Sequence, residues 1–204
     1  MAIPVIFVII GVAAALTGGG LIAYKKLKGK KLGVLGMKRA GKTLFWYHLQ
    51  DKKYVEGKDE DTINDNIPAF IVEGTNDKKL KISGRDIGGG LDFFQDYYKN
   101  IIDECKYNVF IFDMYEYVNN KDYKNITNSL FEVLYNYKCF IKKPYAVIGT
   151  HLDQFTESPR TVQEKILTML GNKPYKALLN SGNFYAIDMR IRNDAMDVFK
   201  KLVK

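Results

Sequence analysis

Apolar and polar positions follow two different regimes along this chain. Residues 2–24 read AIPVIFVIIGVAAALTGGGLIAY, apolar on every side, with no ionisable group before Tyr24. A helix rising about 1.5 Å per residue needs about 20 such residues to cross the hydrocarbon core of a bilayer. Pro4 falls in the first turn, where its missing N–H costs little. Gly18, Gly19 and Gly20 weaken the far end or allow a neighbouring helix close. From Lys31 onward, short apolar runs alternate with turns and amphipathic stretches. Strands are predicted at 31–36, 69–74, 80–86, 108–114, 145–150 and 183–189, and helices near 42–52, 91–105, 122–137, 161–170 and 192–203. Thr75-Asn76-Asp77 supplies turn chemistry for an antiparallel hairpin between the second and third strands. Elsewhere a helix separates each strand from the next, which calls for parallel pairing and right-handed crossovers. The expected organisation is a transmembrane anchor at 1–24, a basic juxtamembrane segment at 25–31 and one doubly wound α/β domain at 32–204.

Charge changes the picture at the junction. The apolar run is followed at once by Lys25, Lys26, Lys28, Lys30 and Lys31. A cleaved signal peptide carries its positive charge before the apolar stretch, and a buried core helix is rarely apolar all round for so long. A single-pass anchor fits both features, and the positive-inside rule then puts the lysines and the domain after them in the cytoplasm. The chain carries 31 basic and 23 acidic residues, a net charge of +8. Setting aside those five lysines leaves an excess of three, so most of the charge is a topology signal and a contact for the bilayer. No basic patch remains in the sequence to predict nucleic acid as a partner. Cys105 and Cys139 match no disulfide framework or metal-ligand spacing and read as thiols in a reducing compartment.

The chemistry falls at predicted strand ends. Gly36-Met37-Lys38-Arg39-Ala40-Gly41-Lys42-Thr43 matches G-x-x-x-x-G-K-[ST] between a strand and a helix, the context of a phosphate loop. Backbone N–H groups of such a loop turn inward on phosphate oxygens, and the helix N-terminus adds its dipole. Lys42 brings a positive charge to the β- and γ-phosphates, and Thr43 a hydroxyl for Mg²⁺. Asp86-Ile87-Gly88-Gly89 ends the third strand as D-x-x-G; the aspartate suits Mg²⁺ through water, and the Gly89 N–H suits the γ-phosphate. Thr150-His151-Leu152-Asp153 follows the fifth strand. A carboxylate there accepts two parallel hydrogen bonds from the N1–H and N2–H₂ edge of guanine, a donor pair adenine lacks.

In this order the three motifs resemble those of a Ras-superfamily small GTPase, and the D-x-G-G form is most similar to the Arf branch. A membrane helix ahead of such a domain also resembles the beta subunits of the signal recognition particle receptor. The resemblance covers 31–204 and implies a P-loop NTPase fold of the small-GTPase kind: a six-stranded, mostly parallel sheet with helices on both faces. It further implies GTP/GDP and Mg²⁺ as ligands, and switch segments that recruit a protein partner. The nucleotide-binding set it implies is Gly36, Lys38, Arg39, Ala40, Gly41, Lys42, Thr43, Gly89, Thr150, His151, Asp153 and Met189. Lys42 and Gly89 have the catalytic roles, and Thr43, Thr62 and Asp86 the metal.

Departures from the family pattern shape the expected activity. The position after D-x-G-G, where hydrolysing members carry a water-positioning Gln, is Gly90, so intrinsic hydrolysis is expected to be slow. Asp92 and Gln95 lie nearby without a sign that either substitutes. Lys38 and Arg39 stand where small or acidic residues are usual; they lean over the phosphates or point into solvent. His151 replaces the usual lysine and offers a ring to stack on the base. Thr62 is the only threonine between the phosphate loop and the second strand, whereas matching back from Phe70 puts Ile67 at that place and leaves no hydroxyl. The last family motif falls, in degenerate form, at Asp188-Met189-Arg190. Asp113 is expected to be structural rather than a Walker B metal ligand, and His48 to be a packing or surface residue. Tyr97, Tyr98, Tyr115 and Tyr117 are core by default and partner surface otherwise. Asn125-Ile126-Thr127 is a glycosylation sequon that a cytoplasmic domain would not use. Two alternatives to a GTPase switch stay open: a non-hydrolysing, GTP-bound module of a membrane complex, and a P-loop ATPase or kinase, which Asp153 disfavours.

Overall fold

A computed structural model of the 204-residue chain describes residues 30–52, 64–74, 79–89, 97–180 and 182–204. The apolar run at 2–24, and with it the proposed anchor, lies outside the described residues, as do Thr62, Gly90, Asp92 and Gln95. Among the described residues no helix is long and apolar enough to cross a membrane.

The strands are β1 (Lys30–Gly36), β2 (Asn64–Glu73), β3 (Lys79–Ile87), β4 (Tyr107–Asp113), β5 (Tyr145–Thr150) and β6 (Phe184–Ala186). They form one sheet in the order β2-β3-β1-β4-β5-β6. β2 and β3 pair antiparallel, and every other neighbouring pair is parallel. The fold class is therefore α/β with a mostly parallel six-stranded sheet and an antiparallel edge, as the alternating pattern predicts. β4 sits centrally, and all seven of its residues are buried, which is why it reads NVFIFD rather than alternating. Phe112 anchors one side of the core against Phe131 (5.4 Å between centroids), Tyr117 (5.6 Å) and Phe184 (6.0 Å).

The helices are α1 (Lys42–Leu49), α2 (Lys99–Glu104), α3 (Met114–Asn119), α4 (Lys121–Asn136), α5 (Lys138–Lys142), α6 (Pro159–Met169), α7 (Ala177–Asn180) and α8 (Arg192–Leu202). Predicted boundaries shift where local caps act. Asp113 caps α3 by accepting from the Glu116 N–H, and Asn120 caps α4 by accepting from Asp122 and Tyr123. One predicted helix thus has a second, short one ahead of it. α6 begins at Pro159 because Ser158 caps it and proline suits the first turn. β2 begins at Asn64, not at 69, and absorbs Pro68 in an irregularity between Ile67 and Phe70, as an edge strand can. β6 spans only three residues, because the chain then turns at Ile187, whose N–H reaches Gly149 O, toward the end of β5.

Candidate functional site

The carboxyl ends of β1, β3, β4 and β5 lie side by side, and the chain leaves each through a loop that carries chemistry. In an open α/β sheet this edge is where ligands bind. After β1 the backbone turns through Gly36 (φ 143°) and Gly41 (φ 90°), with Arg39 left-handed between them at φ 58°. Glycine is required at Gly36 on space as well as angle, because a Cβ there would run into Ile111 O. The loop is anchored by Met37 N–H to Ile111 O at 2.9 Å. It runs straight into α1, whose N-cap Gly41 offers no side-chain cap and whose first turn holds no acid. The positive end of the α1 dipole thus opens on this loop with no acidic side chain in its first turn, an arrangement that suits an anion.

Lys42 is buried, and its Nζ donates to Met37 O at 2.7 Å. Burial pushes its pKa down to about 8, with nearby Asp86 opposing the shift. Thr43 Oγ1 donates to Asp86 Oδ2 at 2.7 Å across 43 residues of sequence. A hydroxyl and a buried carboxylate thus meet beside the lysine, an all-oxygen donor pair that fits Mg²⁺ with water completing its shell. Among the described residues no group of three His, Cys, Asp or Glu side chains gathers to hold a metal. Gly89 lies against the backbone of Gly36, Met37 and Lys38 so closely that a Cβ would overlap it. Lys38 and Arg39 are exposed, and Ala40 is buried.

One residue of this region is not legible as a site residue in the sequence. Tyr98 is fully buried, and its hydroxyl accepts from Gly36 N–H (3.2 Å) and donates to Gly36 O (2.8 Å), with Gly88 O also in reach at 3.3 Å. It ties the first glycine of the loop to the D-x-G-G segment. Its neighbour Tyr97 is exposed, and the same division holds between buried Tyr117 and exposed Tyr115. No spacing rule marks Tyr98, because the contact spans 62 residues.

The end of β5 builds the second half. The buried Thr150 hydroxyl lies 3.2 Å from both Ala40 O and Phe112 O and bridges the loop after β1 to β4. His151 is left-handed at φ 59°, and its Nδ1 lies 2.9 Å from Asp113 Oδ2 and 3.1 Å from Thr150 Oγ1. The hydrogen-bonded Asp113 carboxylate holds the imidazole above its ordinary value, against partial burial. His151 is thus directed to Asp113, which caps α3 and orients this ring.

Asp153 lies in a short 3₁₀ turn, Leu152–Gln154, whose Leu152 N–H bonds Ile187 O. Its Oδ2 is 3.2 Å from Arg190 Nη2, and the same guanidinium holds Asp188 Oδ2 at 2.7 Å and Oδ1 through Nε at 3.0 Å. Arg190 therefore bridges two carboxylates that would otherwise repel. It holds the Asp188 carboxyl below its ordinary value. Met189 is buried against Gly41, and its carbonyl lies 2.7 Å from His48 Nε2. The structure thus gathers residues from 36–43, 86–89, 150–153 and 188–190 along one edge. No protein-family model and no curated protein matches the chain.

Proposed function

We propose that the chain is a membrane-anchored GTP-binding protein of the small-GTPase kind, a nucleotide-dependent switch that recruits a protein partner on its cytoplasmic side. The observation that carries this reading is the meeting of Thr43 and Asp86 beside Lys42, at the mouth of a loop whose backbone suits phosphate. In this reading the α1 N-terminus and the loop N–H groups hold the phosphates, and Lys42 leaves Met37 O for the β- and γ-oxygens. Thr43 and Asp86 hold Mg²⁺, which neutralises phosphate charge when bound. Gly89 presents its N–H to the γ-phosphate side. Asp153 accepts from guanine N1–H and N2–H₂, Met189 borders the base, and the Thr150 hydroxyl keeps the phosphate loop and base loop in register. Arg190 Nη2 lies 3.2 Å from Asp153 Oδ2, and in this reading the carboxylate also turns to the base edge.

Gly90 has no side chain to orient water, so hydrolysis by the isolated chain is slow, and a partner supplies the missing group in trans. The same residue favours a second reading: a non-hydrolysing module that keeps GTP as a structural ligand. Full-length chain purified in detergent separates the two by the nucleotide that co-purifies and by single-turnover hydrolysis with and without membrane extract. Hydrolysis that accelerates with extract supports the switch; GTP retained unchanged under both conditions leaves the structural module. Competition between GTP and ATP tests the base assignment. Asp153→Asn is expected to lose GTP and gain xanthosine triphosphate, with a change of about 2–3 kcal/mol for a charge-assisted pair. Unchanged GTP affinity in that variant would remove Asp153 from the site.

A further inference from the structure

Strands β1, β4, β5 and β6 run parallel and so begin at one edge, opposite the phosphate loop. That edge is basic. Lys30 and Lys31 open β1, Lys106 precedes β4, and Lys142 and Lys143 precede β5. Lys201, near the end of α8, joins Lys143 in lining a solvent-open cavity of about 240 Å³. Tyr145, Tyr185, Asn183 and Ile141 also line it, and Ile141 is 41% exposed. Among the described residues the acids on this side include Asp103, Glu104 and, at the sheet's far edge, Glu73 opposite Lys79; Glu104 pairs with Lys31 at 2.8 Å, and Asp103 accepts from Tyr137. The cations lie over aromatic faces: Lys30 and Lys106 are 5.7 and 5.4 Å from the Tyr107 ring centre, and Lys201 is 5.2 Å from that of Tyr185. Ammonium groups, aromatic rings and an exposed aliphatic side chain together are the composition of a membrane–water interface.

The geometry points to a lipid-docking face: the strand-start edge lies against the bilayer and takes anionic lipid headgroups. A headgroup phosphate meets Lys201 at the cavity, Lys106 extends the cationic surface, and Lys143, whose Nζ donates to Ile102 O and Asp103 O, fastens the end of α2 beside it. Charge complementarity argues for an anionic surface, and chain connectivity argues that the surface is a membrane. The apolar run ends at residue 24, and Lys30 begins β1 at this same edge. The phosphate-loop edge then faces away from the bilayer, open to a partner. The inference rests on the membrane reading of residues 2–24 and not on the nucleotide reading.

The protein carries its own reporter. Cys139 is exposed on α5, which leads into β5 at this edge, whereas Cys105 is buried and its thiol is pushed up to about 11. A thiol-reactive spin label therefore takes Cys139 selectively. Full-length chain is reconstituted into bilayers of phosphatidylcholine with or without phosphatidylserine, and the label's access to a water-soluble relaxing agent is measured. Phosphatidylserine is expected to shield the label, and salt to expose it again. Lys106→Glu with Lys201→Glu is expected to restore access, each reversal weakening the docked state by about fivefold or more at low salt. An inserted chain whose label ignores lipid charge overturns the docking face while leaving the anchor intact. A chain stripped from the bilayer by alkaline carbonate overturns the anchor and the docking face together. RNA that binds through Lys106 and Lys201 while phosphatidylserine leaves the label exposed reassigns the face to nucleic acid.

Discussion

Lys42 is enclosed by the loop it follows, and enclosure costs its ammonium part of its stability. The free protein holds this lysine at about 8, below its ordinary 10.5. A phosphate brought against it favours the charged form and raises the value again. Binding of a triphosphate therefore takes up a proton above pH 8, and affinity is expected to fall as pH rises through that point. The limiting slope is tenfold per pH unit, about 1.4 kcal/mol. Titration with a fluorescent GTP analogue between pH 7 and 10 measures it, and a flat profile would deny Lys42 contact with phosphate. Arg190 makes a different residue-scale prediction. Replacing it by alanine leaves Asp188 and Asp153 facing each other unbridged, so GTP affinity is expected to drop several-fold. Asp188→Asn in the same chain removes the repulsion and is expected to recover most of the loss. Failure to recover would mean that Arg190 acts on the nucleotide directly. Gly36, Gly41, Lys42, Thr43, Asp86 and Asp153 stand out in the sequence because each is tied to a fixed spacing from a strand end. Arg190 gives no such signal; its role appears only when the turn after β6 reaches the end of β5.

Elements transmit these local arrangements through a few long-range bonds. The Tyr98 hydroxyl holds Gly36 to the Gly88 segment, so the loop after β1 and the loop after β3 move together. Tyr98→Phe keeps the ring in the core and removes only that tie. Stability is expected to fall by about 1–2 kcal/mol, and nucleotide dissociation to quicken, followed by release of a labelled nucleotide. Dissociation at the unchanged rate would make Tyr98 a packing residue only. At this scale the sequence reads well wherever an element is buried on both faces. β1, β4 and β5 match their predicted runs to within a residue, because a central parallel strand must be apolar almost throughout. It reads poorly at the periphery. The polar start of β2 pairs with β3 in the backbone ladder, which composition does not mark. The six residues of α3 exist because Asp113 both ends β4 and caps the next turn.

At the scale of the molecule, ligand and fold are linked. A nucleotide that binds only the folded state at 100 times its dissociation constant adds about 2.7 kcal/mol. For a domain of this size that raises the thermal midpoint by roughly 5–10 °C. Mg-GTP is expected to produce this shift and Mg-ATP at the same concentration to leave the midpoint nearly unchanged, as scanning calorimetry would read. Equal shifts from both would argue for an ATP-binding protein and against the guanine role of Asp153. The net charge of +8 also takes its meaning from the whole molecule. Lys30 and Lys31, which open β1, share the strand-start edge with Lys106, Lys143 and Lys201, residues far apart in the chain.

By itself the sequence determined the α/β alternation, the mostly parallel sheet and the positions of the three strand-end motifs. It could do so because period, turn chemistry and motif spacing are local properties of the chain. Only the tertiary structure decided that Thr43 meets Asp86, that His151 turns to Asp113, that Arg190 bridges two aspartates and that Tyr98 closes the loop. These are contacts between the ends of different strands or across distant loops. Their geometry depends on sheet order and register, which follow from the packing of the whole core.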